Sequence, residues 1–135
     1  MYKKTMTYVD FDGNERTEDF YFNLMKSEIL EMELGVSGGL TGLIQRIIQA
    51  KDVPAIVAEV KKFILAAYGK KSPDGKRFIK SKEITEEFTQ TEAYSKLFVE
   101  LASDADAVAE FINQVVPEDV AKQMAEQKNL SAQSH

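Results

Sequence analysis

Asp10-Phe11-Asp12-Gly13-Asn14-Glu15 sits between two segments that read as strands, and its reading sets the architecture of the N-terminal part. Asp12-Gly13 is turn chemistry, because glycine takes the positive φ of a tight hairpin turn without penalty. Before it, Met6 and Tyr8 share one parity, while Thr5, Thr7 and Val9 share the other. After it, the returning strand runs to about Asn23 and carries Phe20, Tyr21 and Phe22. A two-residue turn at Asp12-Gly13 pairs Thr5 with Phe20. A three-residue loop with a bulge pairs Met6 with Phe20 and places Met6, Tyr8, Phe20 and Phe22 on one face. The second register is preferred, because it builds a single apolar face. A lone hairpin is marginal in water, so this one is expected to pack on helices or pair with another chain.

The rest of the chain reads as helical. Asn23 or Ser27 is expected to cap a first helix from Leu24 to about Leu34, which Gly35-Val36-Ser37-Gly38-Gly39 breaks. Leu40, Leu43, Ile44, Ile47 and Ile48 recur at helical spacing and define a second. Asp52-Val53-Pro54 opens a third, since proline fits a first helical turn. Its stripe is Val53, Ile56, Val57, Val60, Ile64, Ala67 and Tyr68, with Glu59, Lys61 and Lys62 on the polar side. Both stripes are wide enough for a core.

Gly69 to Arg77 is the most polar internal stretch, with Pro73-Asp74-Gly75 as its turn. Phe78-Ile79 reads as a short extended piece. Ser81 opens a helix to about Phe88, and Thr89-Gln90-Thr91-Glu92 reads as a capping box for the next, with Tyr94, Leu97, Phe98 and Leu101 on its inner face. A further helix starts between Ser103 and Asp106 and shows Val108, Phe111, Ile112 and Val115. Pro117 begins a last one. The fold class predicted is α+β, mostly helical: an N-terminal β-hairpin followed by about six short helices in a compact bundle. One globular domain is expected over 1–120, with the hairpin at 2–23 and the helical part at 24–120. Residues 121–135 are expected to be a last helix fraying into a polar tail.

Composition narrows the function. The chain has 135 residues, 44% hydrophobic and 29% charged, the profile of a globular protein with a real core. It has no cysteine, so disulfides, thiolate catalysis and cysteine metal sites are excluded. The only histidine is His135, at the end of the chain, where a side chain is poorly held for catalysis or metal binding. No catalytic, cofactor-binding or metal site is therefore expected. No apolar run reaches the roughly 20 residues of a membrane span. The N-terminus lacks the apolar stretch of a signal peptide, so the expected place is the cytoplasm of the cell that makes it.

The carboxylate groups Glu28, Glu31, Glu33 and Glu83, Glu86, Glu87 are read as solvated helix faces. Asp104 and Asp106 are read as first-turn acids facing a helix N-terminus. Asp10 to Glu15 lacks the spaced oxygen ligands of a calcium loop and is read as a turn. Gly35 to Gly39 lacks the Gly-Lys-Ser/Thr ending of a phosphate-binding loop and is read as a connection. Lys70, Lys71, Lys76, Arg77, Lys80 and Lys82 form one basic cluster around Phe78. With a formal net charge of −5 over the whole chain, nucleic acid is an unfavoured partner and an acidic protein surface the better match. The candidate interaction surface is therefore Phe20, Tyr21 and Phe22 on the strand, with Lys76, Arg77 and Phe78 beside the polar turn. Ordinary core packing is the competing reading for the strand aromatics.

Several segments together resemble a known group. They are Tyr2-Lys3-Lys4-Thr5 through Tyr8, the run from Asp12 to Leu24, Glu31-Met32-Glu33-Leu34, Ser72-Pro73-Asp74-Gly75-Lys76-Arg77-Phe78-Ile79-Lys80 and Thr89-Gln90-Thr91-Glu92-Ala93-Tyr94. Over roughly residues 2–117 the chain resembles small tail assembly chaperones encoded in the tail-gene region of long-tailed phages and prophages of Gram-positive bacteria. The resemblance implies a non-enzymatic role in the host bacterial cytoplasm. Such a protein holds the tape measure protein soluble, recruits tail tube subunits and leaves before the virion matures, and a longer frameshifted form continues past its C-terminus. Homo-oligomers, but no cofactor and no membrane, belong to this expectation. The alternative is a structural tail or head accessory protein retained in the particle.

Overall fold

The computed structural model describes residues 1–35, 42, 45, 46 and 53–120. Strand β1 (Tyr2–Val9) and strand β2 (Glu15–Phe22) form the hairpin. Helix α1 (Lys26–Gly35) follows, then α2 (Val53–Ala67), β3 (Tyr68–Lys71), β4 (Phe78–Ile79), α3 (Lys82–Thr89), α4 (Glu92–Ala102) and α5 (Ala105–Val115). Residues 118–120 are helical, as expected after Pro117. The fold is α+β. The glycine-rich connection at 36–39, most of the second predicted helix and the polar tail from 121 lie outside the described residues.

The hairpin pairs Tyr2 with Phe22, Lys4 with Phe20 and Val9 with Glu15, which is neither predicted register. The loop does contain three residues, but they are Phe11, Asp12 and Gly13, one position earlier than expected. Asp10 N–H donates to the Asn14 carbonyl at 2.9 Å and closes it, with Gly13 at φ +83°. Asp10 explains the choice. Its carboxylate accepts from the backbone of Asp12 and Asn14, both at 2.9 Å, and from Arg16 at 2.5 Å, which builds an Asx-type turn from its own side chain. Because the slip is by two positions, the faces are unchanged: Met6, Tyr8, Phe20 and Phe22 share the inner face, joined by Tyr2. The outer face is polar, with Thr5 donating to Asp19 at 2.6 Å and Thr7 bonded to Thr17 at 2.9 Å.

The hairpin is not alone. The sheet has four strands in the order β1-β2-β3-β4, all antiparallel. Helix α2 stops at Ala67, so Tyr68 belongs to β3 and not to the helical stripe. Gly69 makes this possible. A Cβ there would stand 2.7 Å from the Phe78 ring and 2.8 Å from the Ile79 carbonyl, a backbone atom that cannot step aside. Gly69→Ala is expected to cost about 1–3 kcal/mol through overpacking; thermal unfolding followed by circular dichroism gives the value, and an unchanged midpoint would refute this packing.

The core lies between the inner sheet face and the helices. Phe22, Phe63, Ile64, Phe88, Leu97, Ile112 and Val115 are fully buried within it. Caps follow the sequence in part. Ser81 accepts from Ile84 N–H, as read, whereas Asp104 is the cap of α5, accepting from Asp106 N–H, and only Asp106 is a first-turn acid. The capping box does not form: Thr91 caps α4 by accepting from Tyr94 N–H, while Thr89 is the last residue of α3 and donates to the Glu86 carbonyl. Helix α1 begins at Lys26, so neither Asn23 nor Ser27 occupies its cap position. Glu28 instead reaches back to accept from Met25 N–H at 3.0 Å.

Candidate interaction surface

The six candidate residues separate into core and surface. Phe22 is wholly buried against Tyr68, Phe88 and Phe111 and is core. Phe20 is half-buried on the same inner face, between Tyr8 and Phe88. Tyr21 points the other way, onto the outer face, where the Lys71 ammonium stands 5.7 Å from its ring centroid. Phe78 is half-buried with its ring against Gly69, the residue paired with Tyr21. The sheet thus gathers Tyr21 and Phe78, 57 residues apart, around one glycine.

Lys76 and Arg77 are exposed at the β3–β4 turn. This turn is wired from within. Ser72 Oγ donates to Asp74 Oδ1 at 2.6 Å and accepts from Arg77 N–H at 3.0 Å, Lys76 N–H donates to the same Asp74 oxygen at 3.0 Å, and Gly75 takes φ +75°. The Ser72 hydroxyl, then the Lys76 N–H, hold the Asp74 carboxyl below its ordinary value. A depressed carboxyl contributes its support above the ordinary value and loses it as pH falls through the folded one. The Lys76 amide is therefore expected to exchange faster with solvent, relative to the intrinsic rate, as pH drops below the usual carboxylate range. Amide exchange by NMR reads this directly, and Asp74→Ala should show the fast behaviour at every pH.

The basic cluster is dispersed by the fold. Lys80 turns inward to Glu28 at 2.5 Å, Lys70 pairs with Glu87 and Lys82 with Glu86, each at 3.9 Å, and Lys71 lies over Tyr21. Glu28 is accordingly half-buried and paired, not a member of a solvated face, whereas Glu83, Glu86 and Glu87 are exposed as read. Only Lys76 and Arg77 remain of the cluster as a protruding pair.

Sequence reasoning missed a concavity beside the sheet. Strands β2 and β3 pair only through Tyr21–Gly69 and Phe22–Tyr68, then separate. A cleft of about 440 Å³ opens in the angle between them. Its floor is Phe20 with the stacked pair Tyr68 and Phe88, whose centroids are 3.9 Å apart at 8°. Its charged lining is Glu18, Asp19 and Glu87, with Lys70 and Lys71 on the β3 side. Burial, then the Glu87 and Glu18 charges, pushes the Tyr68 hydroxyl up from its ordinary value, so it stays a neutral donor. Such a site offers hydrogen bonds, apolar contact and charge of both signs, with acids in excess. Among the described residues no group of three or more acids or histidines is arranged to hold a metal, and no helix is long and apolar enough to cross a membrane.

The fold and this surface define a small α+β protein with an aromatic-floored gap in its sheet. A family model described as phage tail assembly chaperone matches residues 1–135, the whole chain. The chain belongs to the phage tail assembly chaperone family. Searches of curated proteins and of solved structures return no match.

Proposed function

We propose that this chain is a non-enzymatic chaperone that binds the tail tape measure protein, keeps it soluble in the host bacterial cytoplasm, delivers it to tail tube protein and then leaves. The observation that carries this reading is the match of the family model to the entire length, 1–135. The surface supports it. Phe11 is 78% exposed at the hairpin tip, and the gap between β2 and β3 offers both aromatic surface and strand edge to a client. A helical client face and an extended one can both be engaged by such a domain. Phe20, Tyr21, Phe78, Lys76 and Arg77 form the proposed contact surface, with Phe22 supporting it from within the core.

A chaperone and a structural tail protein differ in their fate. Mass spectrometry of purified particles, quantified against tail tube protein, is expected to find the chain absent or at trace level. Copy numbers comparable to those of a tail component would overturn the chaperone reading in favour of a virion protein.

A further inference from the structure

The gap between β2 and β3 has the geometry of a missing strand. In the hairpin, Asp10 N–H bonds the Asn14 carbonyl, so even-numbered residues of β1 and β2 bond each other. On the other side, Asn23 N–H bonds the Ala67 carbonyl and Tyr21 pairs with Gly69, so odd-numbered residues of β2 face β3. Since β3 departs after Gly69, the N–H and C=O groups of Glu15, Thr17 and Asp19 face the gap with no ladder partner among the described residues. The opposite edge of the sheet differs. On β1 the outward carbonyl of Thr7 is already taken by the Lys96 ammonium at 2.5 Å, a lysine that blunts that edge.

Two further features say what fits. Tyr68 is 7% exposed, lines the cleft, and its hydroxyl makes no hydrogen bond among the described residues. Around it stand three carboxylates, Glu18, Asp19 and Glu87, against two lysines, Lys70 and Lys71; Glu18 accepts from the Tyr8 hydroxyl and Asp19 from Thr5, and among the described residues the one ion pair the three acids make is the exposed 3.9 Å contact of Glu87 with Lys70. Pairing of β2 with β2 of a second copy about Thr17 would set Glu15 opposite Asp19, like against like, which is unfavourable.

We propose that this gap receives an extended basic segment of a client protein, added as a strand along Glu15–Asp19. The proposal rests on the chaperone reading above and specifies how a client is gripped. Alternation along the added strand sends one set of side chains inward and the other outward. The inward set is apolar and meets Phe20, the half-buried ring of the cleft, with the Tyr68 hydroxyl free to donate to the segment's backbone. The outward set is lysine or arginine and meets Glu15 and Asp19.

The test uses the full-length ¹⁵N-labelled protein and a short, end-blocked peptide of alternating valine and lysine, with a valine–glutamate peptide as control. Saturable shifts are expected at the amides of Thr17, Asp19, Tyr21 and Lys71, with slowed exchange at Thr17 and Asp19, and none with the acidic peptide. Thr17→Pro removes an edge donor and no backbone bond to β1, losing only the hydroxyl contact with Thr7, and is expected to weaken binding at least about tenfold. Asp19→Lys is expected to weaken it similarly and keeps the test decisive if the proline variant loses its folded spectrum. Shifts elsewhere, equal binding of both peptides, or no shifts at millimolar peptide would overturn the proposal. So would broadening of these amides with protein concentration in the absence of peptide, which places a second copy in the gap. Solubilisation of the tape measure protein is a separate readout: if it persists when the peptide fails, the chaperone reading stands and this site does not.

Discussion

Phe22→Ala is expected to remove most of the stability of the protein. The ring is wholly buried and meets Phe111 at 5.2 Å, Tyr68 at 5.7 Å and Phe88 at 6.0 Å between centroids. These partners come from α5, β3 and α3, so the ring joins the hairpin to both the second half of the sheet and the helices. Truncating a buried phenylalanine costs about 3–5 kcal/mol, because the neighbours cannot collapse fully into the space. Domains of this kind are stable by only about 5–15 kcal/mol in total. Urea unfolding should therefore show a large fall in midpoint with little change in slope. Phe11→Ala at the exposed hairpin tip is the control, with an expected effect within about 0.5 kcal/mol. Equal effects at the two positions would refute this picture of the core.

Lys80→Met has the second largest expected effect. The Lys80 ammonium donates to the Asn23 carbonyl at 2.7 Å, the Ala66 carbonyl at 2.8 Å and Glu28 Oε2 at 2.5 Å. Three donors thus meet three acceptors, and the acceptors lie after β2, at the end of α2 and in α1. Methionine keeps the stem but strands two carbonyls and a carboxylate in a half-buried place. The expected loss is about 2–4 kcal/mol, since each unsatisfied group costs its desolvation and a partnered charge costs more. Glu28→Gln should cost less, because both carbonyl bonds survive, and Lys80→Arg should not restore the wild type, because a planar guanidinium cannot point three donors the same way. A Lys80→Met protein as stable as the wild type would show that this lysine is an ordinary surface residue.

The hairpin, its inner face and the periodic helices were legible because each has a local signal: parity around Asp12-Gly13, stripes of spacing three and four, and capping side chains at Ser81 and Asp104. The register was not, because it depends on Asp10 folding its carboxylate back over the loop, a choice that turn composition does not reveal. Strand β3 was hidden by its length and its neighbours. Ala67 and Tyr68 extend the stripe of α2 by spacing, and Gly69-Lys70-Lys71 has no alternation to oppose that reading. Only the fit of Phe78 on Gly69, a contact between strands, ends the helix there.

The same reasoning explains the candidate surface. Tyr21 and Phe78 were visible as aromatics beside polar segments, yet their meeting around Gly69 is a property of the sheet. Phe22 belongs to the same aromatic run, although its parity with Met6 and Phe20 points inward. Lys80 looks like one of six cations in a run, and only the convergence of α1, the end of α2 and Asn23 makes it a half-buried tie. The cleft has no local signature at all. It arises where β3 leaves β2 to pair with β4, which opens the edge of β2 beside the largely buried Tyr68.

Co-expression with the tape measure protein of the same phage or prophage tests the central claim most directly. The soluble fraction is resolved by size exclusion, and its composition is read by mass analysis. The account predicts that the tape measure protein is soluble only when this chain is present and that the two elute in one complex. A tape measure protein that stays insoluble while this chain elutes by itself would contradict it.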